Sequence, residues 1–307
     1  MTSTFTLLDG GMGRELMRMG APFRQPEWSA LALMLAPETV EQAHQGFINA
    51  GADVITTNSY ALVPFHLGAE RFQAEGRKLA DLSGSLARKA ADAAQRDHRH
   101  RDDGHKVRVA GSLPPLFGSY RPDLFDEAAA PGIIRPLIDG LAPHVDLWLA
   151  ETQGSLAEAR FAKSALGNDG RPFWISFTLD DENEDLARPR LRSGECVAAA
   201  VTAMFDLGVA AVLFNCSQPE IMAGAVEAAR AVREARGATA QIGVYANAFP
   251  PQREEAANEG LSDIRADLTP ENYARFAKDW MKLGADIIGG CCGIGPEHIA
   301  ALRGLRG

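Results

Sequence analysis

The sequence predicts an α/β fold, a (β/α)8 TIM barrel formed as one domain over residues 1–307, on three observations. Short β-branched segments alternate with longer alanine-rich helical stretches, and eight of the short segments are predicted strands. Most of these segments are apolar almost throughout, as expected for parallel strands buried on both faces. Eight strands that alternate with helices in a chain of this length favour a closed barrel.

The predicted elements have clear boundaries. The strands are expected at 5–8, 54–57, 107–111, 147–150, 173–177, 211–214, 242–244 and 287–289. Pro37 and Gly51 mark the start and end of one helix, and Thr269 with Pro270 and Gly284 mark another. A weak repeat, NAGADVITTN, DLGVAAVLFN and KLGADIIGGC, gives the same order of helix end, glycine and buried strand three times.

An open doubly wound sheet is the alternative fold. Such a sheet commonly carries a G-x-G-x-x-G fingerprint after an early strand. The segment DGGMGRE comes near, but its spacing is wrong for that fingerprint.

Composition excludes several classes of function. The chain is 46% hydrophobic and 23% charged, and its net charge of −9 with no basic patch argues against nucleic acid as a partner. No apolar run approaches the roughly 18 residues of a membrane span, and MTSTFTLLDGG lacks the features of a signal peptide. Four cysteines do not form a disulfide scaffold, which indicates a reducing cytoplasm. The sequence does not set the oligomeric state, and a homo-oligomer stays open.

Two polar segments interrupt the pattern. Residues 92–106, DAAQRDHRHRDDGHK, are predicted to be a solvated helix end and loop, and a metal site at His98, His100 and His105 is the alternative. Residues 178–195 form a polar loop after the fifth strand, on the barrel face that carries active sites, and are therefore candidates for ligand contact.

Polar residues follow most of the predicted strands. The candidates after successive strands are Asp9-Gly10-Gly11, Asn58-Ser59-Tyr60, Ser112, Glu151-Thr152, Asn215-Cys216-Ser217, Asn247 and Cys291-Cys292. In a barrel these positions share the C-terminal face, where catalytic residues lie. Thr57, at the end of the second strand, is a further candidate for substrate contact.

Three of the four cysteines belong to this set. Cys216 and the pair Cys291-Cys292 follow even-numbered strands, so their side chains can converge over the barrel mouth. Three thiolates there would suit Zn²⁺, with Zn–S distances near ~2.3 Å and a fourth position open, as in catalytic zinc sites. The glycines at 289, 290 and 293 would let both adjacent sulfurs face one ion. A vicinal disulfide or inert packing is the alternative, and Cys196 is predicted to be a buried, small apolar residue at a helix start.

Five motifs, LLDGGMGRELMRMG, TTNSY, AET, FNCS and GGCCG, together resemble the homocysteine S-methyltransferase family over Leu7 to about His298. That family includes S-methylmethionine- and betaine-dependent enzymes and the homocysteine domain of cobalamin-dependent methionine synthase. The resemblance implies a (β/α)8 barrel with Cys216, Cys291 and Cys292 as zinc ligands. It also implies that Asp9, Gly10 and Glu151 hold the amino-acid end of homocysteine, with Glu151 facing its ammonium group.

The implied reaction is attack by the zinc-bound homocysteine thiolate on an activated methyl group, which yields methionine. The donor is expected to be S-methylmethionine, S-adenosylmethionine or a similar molecule, and a cationic donor favours aromatic walls. Candidates for such walls are Tyr60, Phe117, Tyr120, Phe177 and Phe249.

Two departures from the family leave alternatives open. Thr152 stands where betaine enzymes carry tyrosine, and GSLPPLFGSYRPDLFD differs from the corresponding loop of S-methylmethionine enzymes. The alternatives are a different thiol acceptor, a corrinoid-protein donor, and a non-catalytic zinc-binding barrel.

Overall fold

A computed structural model describes residues 5–96, 106–183, 185–251 and 263–306. Within these ranges one sheet contains eight parallel strands. They are β1 (Thr6–Leu7), β2 (Val54–Thr56), β3 (Arg108–Leu113), β4 (Leu147–Gln153), β5 (Phe173–Phe177), β6 (Ala211–Asn215), β7 (Gln241–Tyr245) and β8 (Ile287–Ile288).

The sheet closes on itself. The strand order is β1-β8-β7-β6-β5-β4-β3-β2. Its two ends meet where Leu8 and Val54 form a parallel bridge, and the amide of Asp9 donates to the carbonyl of Val54 over 3.0 Å. The predicted (β/α)8 barrel is therefore confirmed, and the open doubly wound sheet is excluded. His98, His100 and His105 lie outside the described residues.

Helices cover the outside of the barrel. They are α1 (Met12–Arg18), α2 (Ser29–Leu35), α3 (Pro37–Ala50), α4 (Pro64–Leu67), α5 (Ala69–Arg96), α6 (Ala130–Leu141), α7 (Leu156–Ala165), α8 (Val197–Asp206), α9 (Pro219–Arg236), α10 (Pro270–Leu283) and α11 (Pro296–Arg303). None of the helices in the described part of the chain is long and apolar enough to cross a bilayer.

The helix boundaries follow the sequence signals. Pro37 begins α3, and Gly51 ends it with φ of 116°, a conformation that glycine adopts without steric cost. The hydroxyl of Thr269 accepts a hydrogen bond from the amide of Asn272 over 3.3 Å at the start of α10. These predicted boundaries are confirmed.

An aspartate before three of the strands explains part of the repeated pattern. Asp53, Asp146 and Asp286 each accept a hydrogen bond from a backbone amide of the neighbouring strand, over 2.8 to 2.9 Å. Each also pairs with a guanidinium, that of Arg306, Arg88 or Arg233 respectively. These contacts lie before the strands begin, so they stabilise the end of the barrel opposite the polar strand ends.

Two apolar layers fill the interior. The larger layer packs between strands and helices and includes Phe47, Trp148 and Trp280. The smaller layer fills the barrel itself, and its members are Leu8, Val54, Ala110, Leu147, Leu149, Trp174, Ala211, Leu213, Tyr245 and Ile287. Because side chains close the barrel interior, a ligand can enter only above the strand ends.

Candidate metal centre and substrate cavity

A cavity of about 180 Å³ lies at the C-terminal ends of the strands. Its wall is formed by residues from the segments that follow β1, β2, β3, β6, β7 and β8, together with residues from β2, β4 and β7 themselves. The wall includes seven of the predicted site residues, Asp9, Gly10, Thr57, Glu151, Cys216, Cys291 and Cys292, and also the candidates Gly11, Asn58, Tyr60 and Thr152. The structure therefore brings these seven positions together around one space.

The three cysteines form a compact sulfur cluster. The Sγ atoms of Cys216, Cys291 and Cys292 all lie within 4.8 Å of one another, and all four cysteines of the chain are free thiols. Tetrahedral zinc with Zn–S bonds of ~2.3 Å would separate its sulfurs by about 3.8 Å. Among the described residues, no histidine, aspartate or glutamate joins the cluster. The donor set thus fits a metal that the three sulfurs would hold, and all three cysteines line the cavity.

The cysteine pair after β8 is fixed by the neighbouring loops. The amide of Cys291 donates to the carbonyl of Ala246 over 2.9 Å, and the carbonyl of Cys292 accepts from Ala248 over 2.8 Å. A side chain at Gly11 would lie 2.5 Å from the carbonyl oxygen of Cys291, so only glycine lets the segment after β1 pack there. Gly293 has φ of 84°, which bends the chain after the pair.

Gly289 and Gly290 were expected, with Gly293, to bend the backbone so that both sulfurs face one ion, but their role in the structure is different. They do not adopt positive φ values. Added side chains there would collide with Leu8 and Ile294. These two glycines therefore permit close packing, and the bend belongs to Gly293.

The thiols influence one another electrostatically. Hydrogen bonds from Cys216 and then Cys291 hold the pKa of Cys292 well below its usual range, and the charge of Arg14 acts in the same direction. Hydrogen bonds with Cys216 and Cys292, followed by burial, raise the pKa of Cys291. Of these two thiols, Cys292 is therefore the one whose ionised form the cluster favours more.

Two buried carboxyl groups face the cavity. Asp9 accepts hydrogen bonds from the amide of Thr56 over 2.7 Å and from its hydroxyl over 3.0 Å. Burial raises the pKa of Asp9 to about 8, and the charge of Glu151 also raises it. Burial raises the pKa of Glu151 to about 7, with a further contribution from Cys216.

Glu151 is oriented by two hydroxyls. That of Ser112 donates to Oε1, and that of Tyr245 lies 3.5 Å from Oε2. No described lysine or arginine pairs with Asp9 or Glu151. The cavity thus presents carboxyl groups that an ammonium group could neutralise.

Thr57 and Asn215 are already engaged in hydrogen bonds within the protein, whereas Asn247 accepts from the amide of Phe249 over 3.2 Å and its buried amide nitrogen has no partner among the described residues. The hydroxyl of Thr57 accepts from the amide of Ser112 over 3.0 Å, although Thr57 lines the cavity. Asn215 and Asn247 are fully buried behind the wall and do not line it. Direct contact of these two with substrate stays a prediction.

The aromatic wall differs from the predicted set. Tyr60, Tyr120 and Phe249 line the cavity. Phe177 is buried in the outer layer, and Phe117 packs edge-on against Phe125 with ring centroids 6.0 Å apart.

Sequence reasoning missed several residues on the wall. They are Met12, Arg14, Phe23, Trp28, His66 and Tyr245. Trp28 lies in the long connection between β1 and β2, and Tyr245 is the last residue of β7. A search that covered whole strand-to-helix connections, and the last residue of each strand, would have included both.

Cys196 is not part of the cluster. It occupies the N-cap position of α8, as its predicted place at a helix start requires. Its predicted burial is wrong, because the residue is exposed. At the N-cap, directly before the first turn of α8, Cys196 is exposed to solvent.

The polar loop at 178–195 contains a buried ion pair. Arg192 donates to Asp181 over 3.1 Å, and the two side chains are 4% and 0% exposed. The Arg192 guanidinium lies 4.5 Å from the ring centroid of Tyr120, and Asp181 accepts from the amide of Gln218 over 3.1 Å. The described loop residues do not line the cavity, so the loop supports the wall from behind through Tyr120.

Replacing Arg192 with methionine is expected to lower the free energy of unfolding by roughly 3 to 5 kcal/mol, because the buried carboxylate of Asp181 would lose the guanidinium that it contacts. Urea unfolding measures this loss. The double variant with Asp181→Asn should recover a large part of it. A single variant as stable as the wild type would contradict the inferred burial of the charge pair.

Known proteins are similar to this chain along nearly its whole length. A family model described as Homocysteine S-methyltransferase matches residues 6–305. The chain is 29% identical to a selenocysteine Se-methyltransferase of Brassica oleracea var. italica, over 98% of this chain and 89% of the relative. It is 28% identical to the homocysteine S-methyltransferase YbgG of Bacillus subtilis, over 97% of this chain and 93% of the relative. The crystal structure of the metallated homocysteine methyltransferase MmuM from Escherichia coli matches with a TM-score of 0.77 and 29% identity, covering 98% of this chain and 96% of that chain.

Proposed function

The chain belongs to the homocysteine S-methyltransferase family, and from this premise we propose that it is a zinc-dependent enzyme that forms methionine. It transfers a methyl group from a sulfonium donor, S-methylmethionine or S-adenosylmethionine, to the thiol of L-homocysteine. The observation that carries the proposal is the cluster of Cys216, Cys291 and Cys292, which shares one cavity with the carboxyl groups of Asp9 and Glu151.

The sulfur cluster would hold the metal. Three cysteine thiols are a common zinc donor set, and three protein ligands leave a position for a substrate sulfur. Bound zinc would keep the homocysteine thiol deprotonated at neutral pH, where a free thiol with pKa near ~8.5 is mostly protonated. The metal in a relative's structure, that of MmuM, supports a metal at this site.

The carboxyl groups would fix the amino-acid end of homocysteine. Glu151, which contacts the hydroxyls of Ser112 and Tyr245, would accept hydrogen bonds from the ammonium group. Asp9, which accepts hydrogen bonds from Thr56, would contact the same end of homocysteine. Binding the two ends of a small substrate restricts its rotation, which aligns the sulfur with the donor methyl group.

The aromatic wall would receive the donor. Trp28, Tyr60 and Phe249 line the same cavity as the sulfur cluster. The negative faces of aromatic rings attract a sulfonium cation, and the attraction grows when the cation leaves water. A donor held against this wall would present its methyl group to the homocysteine sulfur. That sulfur would bond to the methyl carbon as the carbon–sulfonium bond breaks, and the donor would leave as a neutral thioether.

The test is methionine formation by reduced, zinc-loaded protein supplied with homocysteine and one donor at a time. We expect methionine with S-methylmethionine or S-adenosylmethionine and none with betaine. Methionine formation only with a methylated corrinoid protein would overturn the sulfonium proposal. Zinc binding without product from any donor would indicate a non-catalytic barrel.

Selenocysteine, a selenol, should be assayed in parallel as a second acceptor. The similarity to proteins named selenocysteine methyltransferase, from Brassica oleracea and Astragalus bisulcatus, favours testing a selenol alongside the thiol. Faster methylation of selenocysteine than of homocysteine would replace homocysteine as the proposed acceptor. We further expect the enzyme to act in the cytoplasm, where reducing conditions keep its thiols free.

A further inference from the structure

His66 is a buried polar residue on the aromatic side of the cavity. It belongs to α4, is 5% exposed, and lines the same space as the sulfur cluster. Its ring meets those of Trp28 and Phe65 edge-on, with centroids 6.4 Å and 5.1 Å apart. Because Trp28 belongs to the proposed donor wall, His66 lies next to the place proposed for the methyl donor.

A hydrogen bond at one ring nitrogen of His66 determines the state of the other. Nδ1 lies 3.0 Å from the carbonyl oxygen of Pro26. A carbonyl oxygen can only accept, so this contact assigns the proton of the neutral ring to Nδ1, which donates to Pro26. Nε2 is then the unprotonated nitrogen, and its lone pair can accept a hydrogen bond.

No described residue occupies the lone pair of Nε2. This atom makes no hydrogen bond within the described part of the chain, yet it is not among the enclosed polar atoms that lack a partner there. It therefore borders open space, and the open space that His66 lines is the cavity. Water or an N–H or O–H group of a ligand can satisfy such an acceptor.

Burial keeps the ring of His66 neutral, because it lowers the pKa of this histidine to about 4. An α-ammonium group has a pKa of roughly 8, so a proton between the two groups stays on the ammonium nitrogen. His66 can therefore accept from a cationic ligand without becoming a cation itself. A hydrogen bond from a charged group is also stronger than one between neutral groups.

Trp28, the aromatic neighbour of His66, has a rarely populated backbone conformation. Its φ of 49° and ψ of −132° are unfavourable for a bulky residue and persist only where surrounding contacts enforce them. The amide of Trp28 donates to the carbonyl of Arg24 over 2.7 Å, and its ring lies edge-on to that of Phe23 at 5.8 Å. These contacts set the position of the indole relative to Nε2 of His66 before a donor binds.

Two amino-acid substrates need two places for their ammonium groups. Glu151 lies close enough to the sulfur cluster for the charge of Cys216 to raise its pKa. Among the described contacts, His66 shares no hydrogen bond with Glu151 or the cysteines and packs on Trp28 instead. The wall thus offers one acceptor near the sulfur cluster and a second one beside the aromatic rings.

We propose that Nε2 of His66 accepts a hydrogen bond from the α-ammonium group of the methyl donor, so that the enzyme selects donors that are amino acids. The inference rests on the proposed function, since it concerns the donor side of the same cavity. S-methylmethionine and S-adenosylmethionine share this ammonium group, whereas betaine and simple dimethylsulfonium compounds lack it. The aromatic rings attract the cationic sulfur, and His66 binds the amino-acid end.

The test compares His66→Asn with His66→Gln, which separate the two ring nitrogens. The amide of asparagine has the reach of Nδ1 and can donate to Pro26, but it places no acceptor at the position of Nε2. Glutamine reaches the position of Nε2 and offers an acceptor there, but it loses the hydrogen bond to Pro26. A role in donor binding and a role in folding therefore predict opposite effects of the two substitutions.

Titration calorimetry of reduced protein with S-methylmethionine, in the absence of homocysteine, measures donor binding without methyl transfer. We expect His66→Asn to weaken binding by about 10- to 100-fold, the effect of losing a hydrogen bond to a charged group. His66→Gln should stay within about 3-fold of the wild type, because its acceptor remains. In the zinc-loaded enzyme, kcat/KM for S-methylmethionine should fall by the same factors.

The matched ligand is 4-(dimethylsulfonio)butanoate, which is S-methylmethionine without its amino group. The wild type and His66→Asn should bind this ligand equally, because it has no ammonium group to lose. The affinity of zinc-loaded protein for homocysteine should be the same in all three proteins. If the wild type binds only S-adenosylmethionine, the variants are compared with that donor, which carries the same ammonium group.

The outcomes separate this inference from the proposed function. A wild-type protein that neither binds nor uses a sulfonium donor overturns both. A wild-type protein that forms methionine, with a His66→Asn variant of unchanged donor affinity, overturns only the role of His66. A loss in His66→Gln alone, or equal losses for the two matched ligands, would also overturn it. If His66→Asn does not fold, His66→Phe, which keeps a ring and removes both nitrogens, takes its place.

Discussion

Replacing Cys216 with serine is expected to release the metal and to reduce methionine formation by about 10³-fold or more. The variant keeps two of the three sulfurs that lie within 4.8 Å of one another, and a metal site of this kind depends on all three. Without the metal, only about 3% of a thiol with pKa near ~8.5 is ionised at pH 7. Losing several kcal/mol of metal stabilisation corresponds to a rate loss of this order.

Zinc content per chain and X-ray absorption at the zinc edge measure this effect. We expect about one zinc with three sulfur neighbours in reduced wild-type protein, and four once homocysteine is added. Cys196→Ser is the matched control, because Cys196 is exposed at the start of α8 and outside the cluster. A Cys216→Ser variant with full zinc content and normal activity would refute the assigned ligand set.

Replacing Glu151 with glutamine is expected to weaken homocysteine binding by about 100-fold at pH 8, because a charge-assisted hydrogen bond to a buried ammonium contributes roughly 1.5 to 3 kcal/mol. Glutamine has the same shape and can keep hydrogen bonds to Ser112 and Tyr245. Titration calorimetry with zinc-loaded protein measures the change.

The matched ligand is 4-mercaptobutanoate, which is homocysteine without its amino group. The variant should bind this ligand as well as the wild type does. Equal losses of affinity for both ligands would show that Glu151 does not act on the ammonium group.

Glu151→Gln should raise the free energy of unfolding at pH 8, although it weakens homocysteine binding. Burial raises the pKa of Glu151 from 4.5 to about 7 in the folded protein. Between these values the folded state keeps a proton that the unfolded state has released, so the free energy of unfolding falls as pH rises. By pH 8 the loss amounts to about 3 kcal/mol, at 1.36 kcal/mol per pKa unit.

Glutamine cannot ionise, so Glu151→Gln should be more stable than the wild type at pH 8 and similar to it near pH 4.5. Urea unfolding of reduced, metal-free protein at the two pH values measures the difference. A variant that is less stable than the wild type at pH 8 would contradict the unfavourable burial of this carboxylate. The residue would then stabilise the fold as well as bind substrate.

Local sequence determined much of the architecture. Apolar runs and the Pro, Gly and Thr signals define where elements start and stop, because these signals act through backbone conformation and local hydrogen bonds. Parallel strands in a barrel carry their C-terminal ends on one face. For this reason the position of Cys216, Cys291 and Cys292 after strands was sufficient to predict that they meet.

Tertiary structure decided what the polar side chains contact. Asn215 follows its strand as predicted, yet its amide turns to Thr152 behind the wall, and Trp28 reaches the cavity from a long connection. The positive φ values of Thr152 and Cys216 carry no local signal, since contacts between β4, β5 and β6 enforce them. Side-chain direction depends on which distant groups complete each hydrogen bond, and only the closed barrel brings those groups together.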